Sequence, residues 1–84
     1  MMNWNLLVTK NARKQLARLP DRDQQRIVAV LEEMAVDPFR GDIKRLQPLG
    51  WRRRIGSYRV FYDLDMEGRE IVVTAVKRRT STTY

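Results

Sequence analysis

The fold is decided by residues 51–64, WRRRIGSYRVFYDL, which read as two β-strands joined into a hairpin. Successive side chains of an extended strand point to opposite faces of the sheet. This alternation places Arg52 and Arg54 on one face, and Trp51, Arg53 and Ile55 on the other. The first strand of the hairpin therefore presents at least two cations side by side.

The second strand of the hairpin separates apolar from polar positions in the same way. Its apolar set can cover a core and consists of Tyr58, Val60, Tyr62 and Leu64. Arg59, Phe61 and Asp63 fall on the opposite side. The hairpin thus predicts a sheet with one apolar face and one partly basic face, and the basic face suits a phosphate-bearing ligand.

The rest of the chain predicts two helices and further strands around this hairpin. In chain order they are a strand at Trp4 to Thr9, a helix from Asn11 to Leu19 ended by Pro20, a helix from Asp21 ended by Asp37-Pro38, a short strand near Lys44 to Leu46, and an apolar strand at Ile71 to Val76. We expect one α+β domain over residues 1–84. In it an N-terminal strand and a two-helix hairpin pack on a mostly antiparallel, four-stranded twisted sheet.

The charge balance points to polyanionic partners. The 84 residues carry 17 Lys plus Arg against 10 Asp plus Glu, giving a formal charge of +7 and a sequence pI of about 10.6. Such a basic domain favours RNA, DNA or an acidic protein. No apolar run approaches the roughly 20 residues of a spanning helix, and the start lacks a signal-peptide pattern. We therefore expect a soluble, cytoplasmic protein with no membrane partner.

The absence of two residue types restricts the chemistry. There is no cysteine and no histidine, so thiolate chemistry is excluded and the commonest general base and metal ligand are missing. The paired carboxylates lack metal-loop spacing, and no nucleotide-binding glycine motif is found. We expect no metal and no cofactor. Any catalysis must use Arg, Lys, Tyr, Ser, Thr or a carboxylate.

A candidate site is formed by residues that packing in the core does not account for, namely Arg52, Arg54, Arg59, Arg78 and Tyr84. If the last three strands pair as a meander, the arginines converge on one patch and the C-terminal tail carries Tyr84 across it. Phe61 lies on the side of Arg59, where its ring could stack on an unpaired base. The alternatives are solvated edge arginines that prevent aggregation, and a frayed terminus.

These residues resemble the RelE/ParE superfamily of toxins from bacterial and archaeal toxin–antitoxin modules. The similarity covers nearly the whole chain. Its motifs are the helix at Asn11 to Leu19, the helix at Arg26 to Asp37, Lys44-Arg45-Leu46, the central block from Trp51 to Tyr62, and Val76-Lys77-Arg78-Arg79 with the closing Tyr84. The central block is the most specific part.

The resemblance implies a microbial RNase fold and two possible targets. RelE-like toxins cut mRNA in the A site of the 70S ribosome, whereas ParE-like toxins inhibit DNA gyrase without catalysis. By position, the resemblance implies catalytic roles for Arg54, Arg59, Arg78 and Tyr84. Arg52 matches a hairpin cation of the family, and we predict RNA or phosphate contacts for Arg52, Arg53, Phe61, Lys77 and Arg79.

The resemblance also implies partners and a reaction. The partners are an acidic antitoxin, the ribosome with its mRNA, and operator DNA reached only through the antitoxin complex. We predict a metal-independent endoribonuclease that uses the 2′-hydroxyl of the RNA as nucleophile. A ParE-like gyrase inhibitor and a simple nucleic-acid-binding module remain the alternatives.

Overall fold

A computed structural model describes residues 4–46 and 50–78 of the chain as two helices and a five-stranded sheet. In chain order the elements are β1 (Asn5–Val8), α1 (Lys10–Ala17), α2 (Asp21–Val36), β2 (Ile43–Arg45), β3 (Trp51–Ile55), β4 (Tyr58–Asp65) and β5 (Glu70–Arg78). The sheet order is β1-β5-β4-β3-β2. Only β1 and β5 pair in parallel, while the other neighbours are antiparallel.

The α+β class and the meander of the last three strands are confirmed, but the sheet has five strands instead of four. The short strand predicted near Lys44 to Leu46 is β2, and it forms an edge of the sheet by pairing with β3 from Ile43↔Arg53 to Arg45↔Trp51. Strand β2 is three residues long, which is too short for alternation to distinguish a sheet strand from a loop. No helix in residues 4–46 and 50–78 is long and apolar enough to cross a membrane.

The hydrophobic core lies between the helices and one face of the sheet. Its helical contribution includes Ala12 from α1 and Ile27 and Met34 from α2, all with no exposed surface. The strands contribute Ile55, Tyr58, Val60, Tyr62, Ile71, Val73 and Val76. We call this the helix-side face. The opposite face, called the open face, carries Arg52, Arg54, Arg59, Phe61 and Lys77 according to the strand register.

A β-bulge in β5 decides which residues reach which face. Phe61 pairs with Ala75 and Tyr62 pairs with Val73, so Thr74 is an extra residue on β5. The Thr74 hydroxyl donates a hydrogen bond of 3.3 Å to the Phe61 carbonyl. Because of this insertion, Val73 and Val76 both face the core although they are three residues apart. Lys77 consequently lies on the open face.

Helix α1 covers the part of β5 that β1 does not reach. The β1 ladder ends at the pair Val8↔Val73. Beyond it, the Asn11 side-chain amide donates to the Thr74 carbonyl at 3.0 Å, and the Gln15 side-chain carbonyl accepts from the Val76 amide at 2.6 Å. These side chains satisfy backbone groups that would otherwise form an open sheet edge.

Removing the Gln15 acceptor should destabilise the domain. The variant Gln15→Met keeps the side-chain length but leaves the Val76 amide without its partner, so the free energy of unfolding should fall by about 1–3 kcal/mol. The matched control Gln25→Met changes an exposed position of α2 and should alter it by less than about 0.5 kcal/mol. Urea unfolding of both variants measures the difference. Equal stabilities would show that the Gln15 contact contributes nothing.

Candidate nucleic-acid interface

Three cations from three neighbouring strands lie side by side on the open face. Arg54 of β3 pairs with Arg59 of β4, and Arg59 pairs with Lys77 of β5. Directly opposite residues of antiparallel strands have Cβ atoms roughly 4.5–5.5 Å apart, and like charges in such pairs are destabilising. We call these three residues the cationic row. It is a surface whose repulsion an anionic ligand would relieve.

The adjacent level of the sheet places an aromatic ring beside the cationic row. Arg52 pairs with Phe61, and Phe61 pairs with Ala75. The Lys77 ammonium lies 5.9 Å from the centroid of the Phe61 ring, close enough for a cation–π interaction. The half-buried Phe61 ring therefore lies between Arg52 and Lys77.

Arg59 is at the centre of the cationic row and has an unused donor. Its Nε atom is buried and has no hydrogen-bond partner among the residues that the structure describes. A buried donor without an acceptor costs about 1–3 kcal/mol. A phosphate oxygen approaching the row could accept this bond together with the charge-assisted bonds of a guanidinium.

Arg53 lies on the other side of the sheet from the row. It pairs with Val60 on the helix-side face, and its Nη1 donates to the Arg40 carbonyl at 2.8 Å. The Arg53 guanidinium occupies the space that a side chain at Gly41 would need, and Gly41 has a φ of +94°. Arg53 therefore fastens the loop between α2 and β2 and is not brought to the cationic row.

Arg78 also falls on the helix-side face, at the end of β5. It pairs with Tyr58, whose hydroxyl donates to Asp23 Oδ2 at 2.7 Å. This hydrogen bond and burial raise the pKa of Tyr58, whereas the positive charge of Arg78 lowers it. The sheet therefore separates Arg78 from Arg59, although both lie at the same end of the sheet.

Two of the predicted site residues, Arg79 and Tyr84, lie outside the described residues. The structure adds Lys44, which pairs with Arg52 and so shares the open face. Sequence alternation could not show this, because β2 is so short. Residues 4–46 and 50–78 contain no group of three or more acidic, histidine or cysteine side chains that could hold a metal ion.

Comparisons with known proteins agree on one family. The model described as "ParE toxin of type II toxin-antitoxin system" matches residues 6–82. Among solved structures, the RelBE2 toxin–antitoxin complex of Mycobacterium tuberculosis is similar with a TM-score of 0.83 and 28% identity, covering 90% of this chain and 98% of that one.

Two more distant relatives show the same fold. The archaeal RelE–RelB complex from Pyrococcus horikoshii has a TM-score of 0.85 at 23% identity, covering 96% of this chain and 100% of that chain. The isolated Escherichia coli RelE toxin has a TM-score of 0.80 at 18% identity, covering 94% and 87%. No curated protein sequence matches the chain with significance.

The opposite orientations of Arg53 and Arg54 should separate stability from RNA binding. Arg53→Gln should lower the free energy of unfolding by about 1–2 kcal/mol, because the bond to the Arg40 carbonyl is lost. Arg54→Gln, at an exposed position, should change it by less than about 0.5 kcal/mol but weaken binding to single-stranded RNA. Urea unfolding and fluorescence anisotropy measure the two effects. Identical behaviour of both variants would contradict the assignment of faces.

Tyr62 should make the domain less stable at alkaline pH. Burial raises the pKa of Tyr62 to about 12, with the nearby Arg53 charge opposing the shift. Its hydroxyl donates to the Pro38 carbonyl at 3.2 Å. An unfolded tyrosine ionises near pH 10. The contribution of the neutral phenol is therefore complete below pH 10 and is lost as the pH rises towards 12.

Comparison of wild type with Tyr62→Phe tests this expectation. Between pH 10 and 12, the free energy of unfolding should fall less steeply in the variant, which has no phenol to ionise at this position. Equal slopes for both proteins would exclude Tyr62 as a source of the alkaline sensitivity.

Proposed function

Since the chain belongs to the ParE toxin family of type II toxin–antitoxin systems, we propose that this toxin is an endoribonuclease that cleaves mRNA in the ribosomal A site. The cationic row is the observation that carries the proposal. It combines three adjacent positive charges with an unsatisfied Arg59 donor, and a phosphodiester supplies the anionic acceptors that such a surface lacks.

The proposed reaction uses the substrate's own nucleophile. The 2′-hydroxyl attacks the adjacent phosphorus, the bond from phosphorus to the 5′-oxygen of the next nucleotide breaks, and the products are a 2′,3′-cyclic phosphate and a 5′-hydroxyl. One proton leaves the attacking hydroxyl and one joins the departing oxygen. Negative charge grows on the non-bridging oxygens, where guanidinium donors stabilise the transition state most strongly.

In this proposal the arginines act through charge and hydrogen bonding. An arginine side chain keeps its proton in proteins, so Arg54 and Arg59 bind the scissile phosphate without transferring protons. Lys77 neutralises the same phosphate from β5, and Arg52 contacts the flanking backbone. Phe61 stacks on a neighbouring base. The proton-transfer role is assigned to Tyr84, which the resemblance identifies and which lies outside the described residues.

Arg78 is proposed to reach the phosphate around the end of β5. Its position on the helix-side face means that it does not extend the cationic row. A substrate bound at this end of the sheet would therefore lie between Arg59 and Arg78. Arg79, which lies outside the described residues, is assigned a supporting contact to the RNA backbone, whereas Arg53 keeps its structural role beside the Arg40 carbonyl.

The partners in this proposal follow from charge and from the relatives. The similar structures from M. tuberculosis and P. horikoshii are toxin–antitoxin complexes. In this proposal an acidic antitoxin binds the toxin and covers the cationic row. The toxin contacts operator DNA only as part of the complex with this antitoxin. The ribosome would orient the mRNA, which can contribute several kcal/mol to the rate of a weak intrinsic site.

A second candidate function is inhibition of DNA gyrase without catalysis. The description of the matching family model favours it, since that model is named for ParE toxins. Under this alternative, the open face binds a protein and the charges of the row contribute to affinity alone.

Replacement of Arg59 tests the nuclease directly. Arg59→Gln should reduce mRNA cleavage on programmed ribosomes by about 10²–10³-fold, the usual effect of losing one donor to a developing oxyanion. The control Arg69→Gln removes an exposed charge in the β4–β5 turn and should cleave normally. Mapping of mRNA 5′ ends gives the rate, and thermal unfolding confirms that both variants fold.

Two results would contradict the proposal. Cleavage by Arg59→Gln at the wild-type rate would remove the cationic row from the active site. Intact mRNA together with inhibition of DNA supercoiling by purified wild-type toxin would establish the gyrase function instead.

A further inference from the structure

A second cluster of cations lies on the outer side of α1. The inner side of this helix is committed to the fold through buried Ala12 and through the contacts of Asn11 and Gln15 with β5. The exposed side chains of α1 and its C-cap are all basic apart from Asn11 and Ala17. We call the exposed residues Lys10, Arg13, Lys14 and Arg18 the cationic ridge.

The helix dipole of α1 favours the ridge cations Lys14, in the last turn, and Arg18, at the C-cap, but not those at the start of the helix. Lys10 and Arg13 lie in or beside its first turn, which contains no acidic residue, where the helix dipole disfavours cations. Lys10 and Lys14 are also spaced at i and i+4, at which like charges repel. Within the described residues, Lys10, Lys14 and Arg18 form no ion pair. These three cations are therefore available to bind an external anion.

Charge is segregated between the two helices. Residues 9–20 contain four cations and no acidic residue, whereas residues 21–37 contain five acidic residues and two arginines. Helix α2 would repel a polyanion over much of its length, while α1 would attract it. The positive charge is therefore concentrated on α1 and is not spread evenly over both helices.

Helix α1, which carries the ridge on its outer side, lies beside the end of β5 that contributes Lys77 to the cationic row. Gln15 of α1 contacts the Val76 amide, and Lys77 of the row is the following residue of β5. The edge of β5 therefore has helix α1 on one side and the cationic row on the other. Along the ridge, Lys10, Lys14 and Arg18 follow one another at a rise of about 6 Å.

We propose that the cationic ridge binds the phosphate backbone of single-stranded RNA that continues from the cationic row around the edge of β5. The inference rests on the proposed function for its substrate class and adds a second binding surface on α1. A line of cations that continues a phosphate-binding face is the arrangement by which proteins follow a single-stranded backbone. The aliphatic stems of Lys10, Arg13 and Lys14 with Ala17 line a shallow groove for it.

The experiment measures RNA binding without cleavage. The probe is a fluorescent 2′-O-methyl RNA of about 16 nucleotides, which lacks the attacking hydroxyl. The double variant Lys10→Gln/Lys14→Gln should bind more weakly and should reduce the slope of log K against log salt by about 1.4, or about 0.7 for each released phosphate contact. Circular dichroism should show an unchanged helix content.

A control of equal charge makes the result specific. Arg40→Gln/Arg69→Gln removes two exposed cations outside the row and the ridge and should leave the slope unchanged. Equal slopes for the two double variants would overturn the proposal. It would also be overturned if the Lys10→Gln/Lys14→Gln variant lost affinity only for an acidic polypeptide and kept its RNA slope.

Failure of the proposed function would give a different result. A reduced slope in a protein that does not cut mRNA on ribosomes would support the ridge and contradict the nuclease. Normal cleavage with an unchanged slope would contradict the ridge alone.

Discussion

The extra residue at Thr74 is the constraint on which the functional surface depends. Before the bulge, Ile71 and Val73 face the core, and regular alternation would continue with Ala75 and Lys77. The insertion makes Val76 the next buried residue instead. Lys77 is thereby moved to the open face beside Arg59. The carbonyl of Thr74 also accepts a hydrogen bond from the Asn11 side-chain amide. The residue that sets the register of β5 therefore also anchors α1.

The hairpin uses neighbouring arginines for different purposes because strand alternation separates them. Arg53 points to the helix-side face and bonds to the Arg40 carbonyl, whereas Arg54 pairs with Arg59 on the open face. Each like-charged cross-strand pair is destabilising. A domain with a stability on the order of 5–15 kcal/mol tolerates two such pairs, so the cationic row can exist without a compensating carboxylate.

The sequence predicted the parts of this fold that a regular period determines. Alternation correctly placed Arg52 and Arg54 together, and Phe61 on the side of Arg59, because β3 and β4 are regular up to the bulge. It failed at β5, where Val72, Thr74 and Ala75 all suit a strand and no glycine signals an irregularity. The predicted convergence of Arg78 with Arg59 on one patch assumed a strand register, and the bulge places Arg78 opposite Tyr58 on the helix-side face.

The proposed functions of the cationic row and the cationic ridge suggest how an antitoxin would inhibit the toxin. Under those proposals, the row and the ridge bind the same kind of ligand, so an acidic antitoxin that covers either surface competes with RNA. Inhibition would then need no change in the conformation of the toxin. Because both interactions depend on exposed charges, salt would weaken them in parallel. An antitoxin could bind more tightly than RNA by adding apolar contacts. Apolar surface for such contacts is present at Leu7 and Met66, which are exposed by 50% and 60%, and a phosphate backbone would gain nothing from it.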